Sequence, residues 1–266
     1  MKIKFHWVWA SLNQTMDNTY FLIEDLDNKL QVDCGWGLWL AQKINRQEIS
    51  FENIFITHKH TDHLLWFFKL TRLIRSWKIK YLNVFCSVDV EKTVRWVIDL
   101  MNISPWIKAL EEWKIVFINI DDKKEIHIQD YKIEPINLNS MKIEQYWFLL
   151  TYKSKKILFF WDEAIWIFNR LDLEKFNWVD YLICEALCPE FMTTQNWWKV
   201  DNKKICHITA KEAWKIWTKF NARNLILIHT LEDVPWNRQE ILKKEASIEY
   251  KWNIIVPNEW DIVEIT

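Results

Sequence analysis

A chain of 266 residues that holds only two glycines, Gly35 and Gly37, has few positions that reach the left-handed backbone region without strain. Average usage would supply roughly 19. The same chain carries 20 tryptophans. Several stand where turn chemistry asks for glycine. DCGWGLWL (33–40) reads as a glycine-rich strand-to-helix turn, and PWNR (235–238) and PNEWD (257–261) read as turns. Trp252 lies between a helical stretch and a strand, the usual place of a terminating glycine. We read many of these tryptophans as glycines in the native organism. A gene that uses UGA for glycine, translated by a table that reads UGA as tryptophan, gives this pattern. Peptide masses of the native protein should therefore show glycine at 36, 66 and 161; tryptophan there would refute the reading.

The formal net charge of −1 gives no whole-chain field to attract nucleic acid or an anionic membrane. The five cysteines (Cys34, Cys86, Cys184, Cys188, Cys206) form no CxxC pair, and an odd count fits a reducing cytoplasm. The start, MKIKFHWVWA, lacks a signal-like apolar core, and no apolar run approaches bilayer-spanning length. A cytoplasmic chain with no membrane partner is expected. No Pro/Ser-rich linker or tandem repeat divides it, so a single domain is expected over 1–266.

Apolar runs and alternation predict strands at Lys2–His6, Tyr20–Glu24, Leu30–Asp33, Ile54–Thr57 and Tyr81–Cys86. A strand-rich stretch follows: Ile115–Ile120, Glu125–Gln129, Lys132–Leu138, Trp147–Tyr152 and Lys156–Phe160. Tyr181–Glu185 and Asn224–His229 are further strands. Helices are expected over Leu38–Arg46, His63–Trp77, Val90–Met101, Thr209–Phe220 and Arg238–Tyr250. Strand runs followed by helices in both halves imply two packed sheets covered by helices, an α/β arrangement.

The chemistry concentrates in Thr57-His58-Lys59-His60-Thr61-Asp62-His63, an HxHxDH pattern. In an extended loop His58 and His60 can face one point, while Asp62 and His63 turn toward a second. Imidazole and carboxylate are ligands that zinc, iron and manganese share. The bland alternative is a polar surface loop. Two later residues have a matching form: Asp162 after the apolar run in FFWDEA, and His229 after that in LILIHT. Alone, each would be read as a turn aspartate and a satisfied histidine. His6 and His127 are read as structural, and Cys184 and Cys188 as buried thiols.

On these residues the chain resembles the metallo-β-lactamase-fold hydrolases, and within them the ribonuclease Z-like branch, over nearly its whole length. The resemblance implies a four-layer αββα sandwich with a metal site at the sheet edges. Asp33 in QVDCGWG matches the aspartate that braces the metal loop, and HxHxDH matches the second motif. The implied ligands are His58, His60, Asp62, His63, Asp162 and His229, with Asp162 bridging two metals. CEALC and CHITAKEA resemble the branch's HEA and HST-KEA segments, which makes Glu185 and His207 a proton relay. Otherwise Glu185 is a surface acid, and His207 a residue beside the helix cap Thr209. Trp7, Trp9, Trp66, Trp147 and Trp161 fall where family members commonly carry glycine.

Two departures stand out. The family's third-motif histidine, which completes the first metal site, is replaced by Asn139. An amide oxygen is a weaker zinc ligand than imidazole, so the first site should be weak or labile. The long arm that grips tRNA in ribonuclease Z has no room between Phe148 and Asp162. The implied activity is metal-dependent hydrolysis, most simply of a phosphodiester, by a hydroxide formed on zinc (two ions, with manganese or iron as substitutes). Asp62 would orient that hydroxide, and Glu185 and His207 would protonate the leaving group. Other hydrolases of this fold, acting on a thioester, lactone or β-lactam, and a catalytically degenerate metal-binding protein are the alternatives. A phosphodiester or other small molecule is the expected partner; RNA and a second copy of the chain stay open.

Overall fold

Short apolar runs between charged turns build two seven-stranded sheets. The computed structural model describes residues 1–10, 18–26, 28–35, 44, 46, 51–70, 80–112, 114–140, 143–165, 167, 176–194, 207–231, 234, 237–247 and 253–266. The first sheet holds β1 (Lys2–Trp7), β2 (Tyr20–Glu24), β3 (Lys29–Val32), β4 (Asn53–Phe55), β5 (Leu82–Cys86), β6 (Ile115–Asn119) and β14 (Ile262–Glu264), in the order β14-β1-β2-β3-β4-β5-β6. The second holds β7 (Ile126–Ile128), β8 (Tyr131–Asn137), β9 (Tyr146–Tyr152), β10 (Lys155–Phe160), β11 (Tyr181–Glu185), β12 (Asn224–Ile228) and β13 (Asn253–Ile255), in the order β13-β12-β11-β10-β9-β8-β7.

Each sheet is antiparallel in one part and parallel in the other. Pairing is parallel from β3 to β6 and from β10 to β13. The parallel strands are buried on both faces, which is why LILI and YLICE read as continuous apolar runs rather than alternation. Open parallel sheets bind ligands beyond the carboxyl ends of their strands. Asp33 follows β3, the histidine loop follows β4, Asp162 follows β10, Glu185 ends β11 and His229 follows β12.

Among the described residues, seven helical segments accompany the sheets: α1 (Thr61–Leu64), a 3-10 helix (Leu65–Lys69), α2 (Val88–Leu100), α3 (Ser104–Glu111), α4 (Glu190–Thr194), α5 (Ala210–Phe220) and α6 (Arg238–Ala246). Three apolar clusters set the layers. One joins the two sheets through Phe21, Phe55, Phe148, Phe159 and Ile226. A second packs Val90, Val94, Ile98 and Trp106 of α2 and α3 on the first sheet. A third packs Ala213, Ile216, Phe220 and Leu242 of α5 and α6 on the second. The result is the expected αββα sandwich.

The helix expected over His63–Trp77 differs. It starts at Thr61 and becomes 3-10 at Leu65, because the Trp66 N–H donates to Cys34 O at 3.0 Å and leaves the helical ladder. Residues 71–79 and most of the expected helix Leu38–Arg46 lie outside the described residues, as do Trp36, Trp236 and Trp252. α3 and α4 lie outside the expected helices; α6 is described over Arg238–Ala246, and residues 248–250 of the expected Arg238–Tyr250 lie outside the described residues. Trp260, in the PNEWD turn, adopts φ 68°, and Trp178 adopts φ 64°. A left-handed backbone costs a bulky residue roughly 1–2 kcal/mol. The buried indole N–H groups of Trp7, Trp66 and Trp161 have no hydrogen-bond acceptor. All three stand at positions where the resembled family commonly has glycine.

Candidate metal centre

Asp33, at φ 55° just past β3, is the anchor of the histidine loop. Its carboxylate accepts from the Thr57 N–H at 2.8 Å and from the Thr57 hydroxyl at 2.9 Å, and meets His63 Nδ1 at 2.7 Å. These bonds hold the loop so that the other face of His63 turns inward. The Thr57 hydroxyl is also 3.0 Å from His58 Nδ1, which leaves His58 Nε2 to face the same space.

Six of the expected residues converge there. His58 Nε2 is 2.8 Å from Asp162 Oδ2 and 2.9 Å from His60 Nδ1. His60 Nδ1 is 3.5 Å from Asp162 Oδ2. His63 Nε2 lies 3.2 Å from Asp62 Oδ2 and 3.9 Å from Asp162 Oδ2. His229 Nε2 is 3.7 Å from Asp62 Oδ2. Among the described residues, three triads have donor atoms mutually within 4.8 Å: His58, His63 and Asp162; Asp62, His63 and His229; and Asp162, His207 and His229.

The donor set fits a cation. His63 Nε2, His229 Nε2 and Asp162 Oδ2 are buried and make no hydrogen bond of acceptable geometry, even where the partner atom is close. Buried polar atoms are rarely left so. Imidazole nitrogens and carboxylate oxygens that point at one another are satisfied together by a divalent ion.

Glu185 and His207 sit beside this cluster. His207 Nδ1 hydrogen-bonds Glu185 Oε1 and is 3.4 Å from Asp162 Oδ1. The other Glu185 oxygen accepts from the Asp162 N–H at 2.8 Å, and Oε1 also meets His229 Nδ1 at 3.2 Å. His207 is placed two residues before the cap of α5, where Thr209 and Glu212 form a capping box. Asn139 is exposed, at φ 48°, and its N–H donates to Asn137 Oδ1 at 2.8 Å.

A sequence profile described as the beta-lactamase superfamily domain matches residues 28–230. The chain belongs to the beta-lactamase superfamily. No curated protein matches it significantly in sequence. Solved structures share its fold. The short form of human tRNase Z superposes with a TM-score of 0.70 at 16% identity, covering 100% of both chains. A diphosphatase of the PhnP family gives 0.72 at 12% identity, covering 99% of this chain and 97% of that one. Zn(2+)-bound PqqB from Methylobacterium extorquens gives 0.73 at 10% identity, covering 100% of both.

Electrostatics of the metal-free superfamily site follow from burial and pairing. Burial pushes His58 down to about 4, outweighing Asp162 beside it. Burial also pulls on His63 and His229, but carboxylates win there. Asp62 and Asp33 raise His63 well above its usual value, and the nearby carboxylates of Asp62 and Glu185 raise His229 to about 9. Burial works to raise Asp62 and Asp162, yet the histidines around them hold both below the usual carboxylate range. At pH 7 His229 therefore carries a proton that a cation must displace. Metal uptake should release at least one proton at pH 7, and apparent affinity should rise with pH up to about 9. Calorimetry in buffers of different ionisation enthalpy measures the release; none would refute the protonation pattern.

Two supports escaped the sequence reading. Gln145, buried just before β9, donates from Nε2 to the carbonyls of Trp161 and Asp162 at 3.0 and 3.3 Å. Glu185 orients His229 as well as His207. Neither residue lies in a spacing motif that would announce these contacts.

Proposed function

We propose that this chain is a metal-dependent phosphodiesterase. The observation that carries the reading is the hydrogen-bonded Glu185–His207 pair beside the Asp162 carboxylate. A phosphodiester with a poor leaving group calls for a general acid beside the departing oxygen. The fold is shared with a tRNase Z and a PhnP-family diphosphatase.

His58, His60 and Asp162 would hold one ion, and Asp62, His63, Asp162 and His229 another. Zinc suits the donors, with manganese or iron as substitutes. Asn139, exposed and αL, leaves the first set short of a ligand, so its ion should exchange faster. The bound metal supplies Lewis acidity and activates water at neutral pH.

The chain's own residues do the rest. Asp62, on the inner turn of α1, accepts a hydrogen bond from the attacking water and fixes its direction. Glu185 takes the Nδ1 proton of His207 as a hydrogen bond, which sets the tautomer and stabilises the imidazolium. His207 Nε2 then donates its proton to the departing oxygen. The buried walls around His58, His63 and His229 exclude bulk water from the phosphate. The β9–β10 hairpin is a tight turn at Lys153, φ 53°, with no arm to embrace a folded RNA, so small diesters or RNA ends are the substrate class.

His207→Ala tests the role. Turnover of an alkyl diester should fall by about 10²–10⁴, while a 4-nitrophenyl leaving group, which needs little protonation, should lose far less. Metal content per chain should stay unchanged. Equal loss on both substrates, or loss of metal, would assign His207 to metal binding instead.

A further inference from the structure

Two buried glutamines make the same contact at two aspartates of the candidate metal centre. Gln31, on β3, donates from Nε2 to the carbonyls of Val32 and Asp33 at 3.2 and 3.1 Å. Gln145, just before β9, donates from Nε2 to the carbonyls of Trp161 and Asp162 at 3.0 and 3.3 Å. Each time, one amide nitrogen spans the carbonyl of an aspartate and that of the residue before it. Both aspartates stand just past a strand in the left-handed region, Asp33 at φ 55° after β3 and Asp162 at φ 59° after β10. That region is costly for an L-residue, so something must hold it.

Space filling does not account for these side chains. Gln31 is 0% exposed and Gln145 1%, and the Oε1 of each is buried without a hydrogen-bond partner. An amide buried with its acceptor idle is a poorer core residue than an apolar side chain of the same size. What the amide adds is its donor. The two carbonyls it bridges are separated by the φ and ψ of the aspartate alone. One nitrogen reaches both only when those two dihedrals bring the oxygens together. The same dihedrals set the direction of the aspartate's Cα–Cβ bond, and so of its carboxylate. Trp147 Nε1 also donates to the Trp161 carbonyl, at 3.1 Å, but a bond to that carbonyl alone leaves the Asp162 dihedrals free.

We infer that Gln31 and Gln145 are matched positioning residues, each locking the backbone of one aspartate so that its carboxylate is aimed before a divalent ion arrives. The inference rests on the metal-centre reading and is independent of the substrate. Through Asp33, Gln31 acts on Thr57 and His63, which that carboxylate holds. Through Asp162, Gln145 acts on the carboxylate that faces His58, His60 and His207.

The test is zinc affinity, measured by competition with a chromogenic chelator, in Gln31→Met and Gln145→Met. Methionine keeps the length and volume of the side chain and removes the donor. Affinity should fall by about 10–100-fold in each variant, the scale on which outer partners of metal ligands act. Gln145→Asn keeps an amide but withdraws its donor by one methylene. It should lose zinc affinity as the methionine variant does, and it serves in its place if the methionine variant does not fold. Ile216→Val, a core change on α5, controls for stability: it should lower the Tm of the metal-free protein and leave zinc affinity at the wild-type value. Unchanged affinity in the glutamine variants would overturn the inference and leave the metal centre standing. So would an equal loss of affinity in Ile216→Val, which would make the effect one of stability. Wild-type protein that takes up no zinc would remove the metal-centre reading, and the inference with it.

Discussion

Asp162→Asn should strip the protein of metal. The side chain keeps its shape and loses its charge, and the charge is what three imidazoles approach: His58 at 2.8 Å, His60 at 3.5 Å and His207 at 3.4 Å. An amide places N–H groups against nitrogens that already need acceptors. Metal content should fall at least tenfold, and turnover by about a thousandfold or more, the equivalent of several kcal/mol of lost charge stabilisation. Thermal unfolding with and without chelator separates this from simple misfolding. The wild-type Tm should drop on chelation, whereas the variant should unfold at the same temperature in both conditions. A variant that keeps the wild-type metal content would show that the Asp162 carboxylate is not needed to hold it.

Gly35→Ala should damage the same centre from the other side. A Cβ at 35 would lie 2.0 Å from the carbonyl oxygen of Asp62, 3.0 Å from its carbonyl carbon and 2.8 Å from Asn18 Cβ. The first two atoms are backbone, so no rotamer change relieves the clash. Two hydrogen bonds pin the crossing: Cys34 N–H to His63 O at 2.7 Å and Trp66 N–H to Cys34 O at 3.0 Å. The histidine loop must shift bodily. We expect a loss of about 3 kcal/mol or more, seen as a fall in Tm of roughly 6–12 °C, together with weakened metal binding. Wild-type Tm and metal content in the variant would show that the loop moves at no cost.

Much of this site was legible because it is local or terminal to strands. HxHxDH carries four chemically alike residues in one loop, and Asp162 and His229 each end an apolar run, so their type and place announced them. Glu185 and His207 became legible only through family resemblance. A lone acid in CEALC and a histidine before a helix cap have ordinary explanations. Gln145 was illegible, because its work is to hold two backbone carbonyls across a sheet edge, and nothing in composition or period marks that. Strands survived the reading better than helices. The 3-10 helix at Leu65–Lys69 owes its form to Cys34, a residue distant in the chain, and α3 is a short segment of about two turns opened by Pro105. Tertiary contacts, rather than propensity, decide such segments.

Residues 253–264 cross between the sheets: β13 closes the edge of the second beside β12, while β14 pairs with β1 at Lys2↔Glu264, Ile3↔Val263 and Lys4↔Ile262. β1 thus leaves the ribosome well before its partner β14 is made. At ordinary elongation rates that wait is on the order of 10–50 seconds, during which β1 presents a bare edge. Lys2 and Lys4 lie on that edge, tied to Glu24 of β2 at 3.2 and 2.7 Å. Charged side chains on an open strand disfavour pairing with another chain. They let the nascent protein remain unpaired until its own partner has been made.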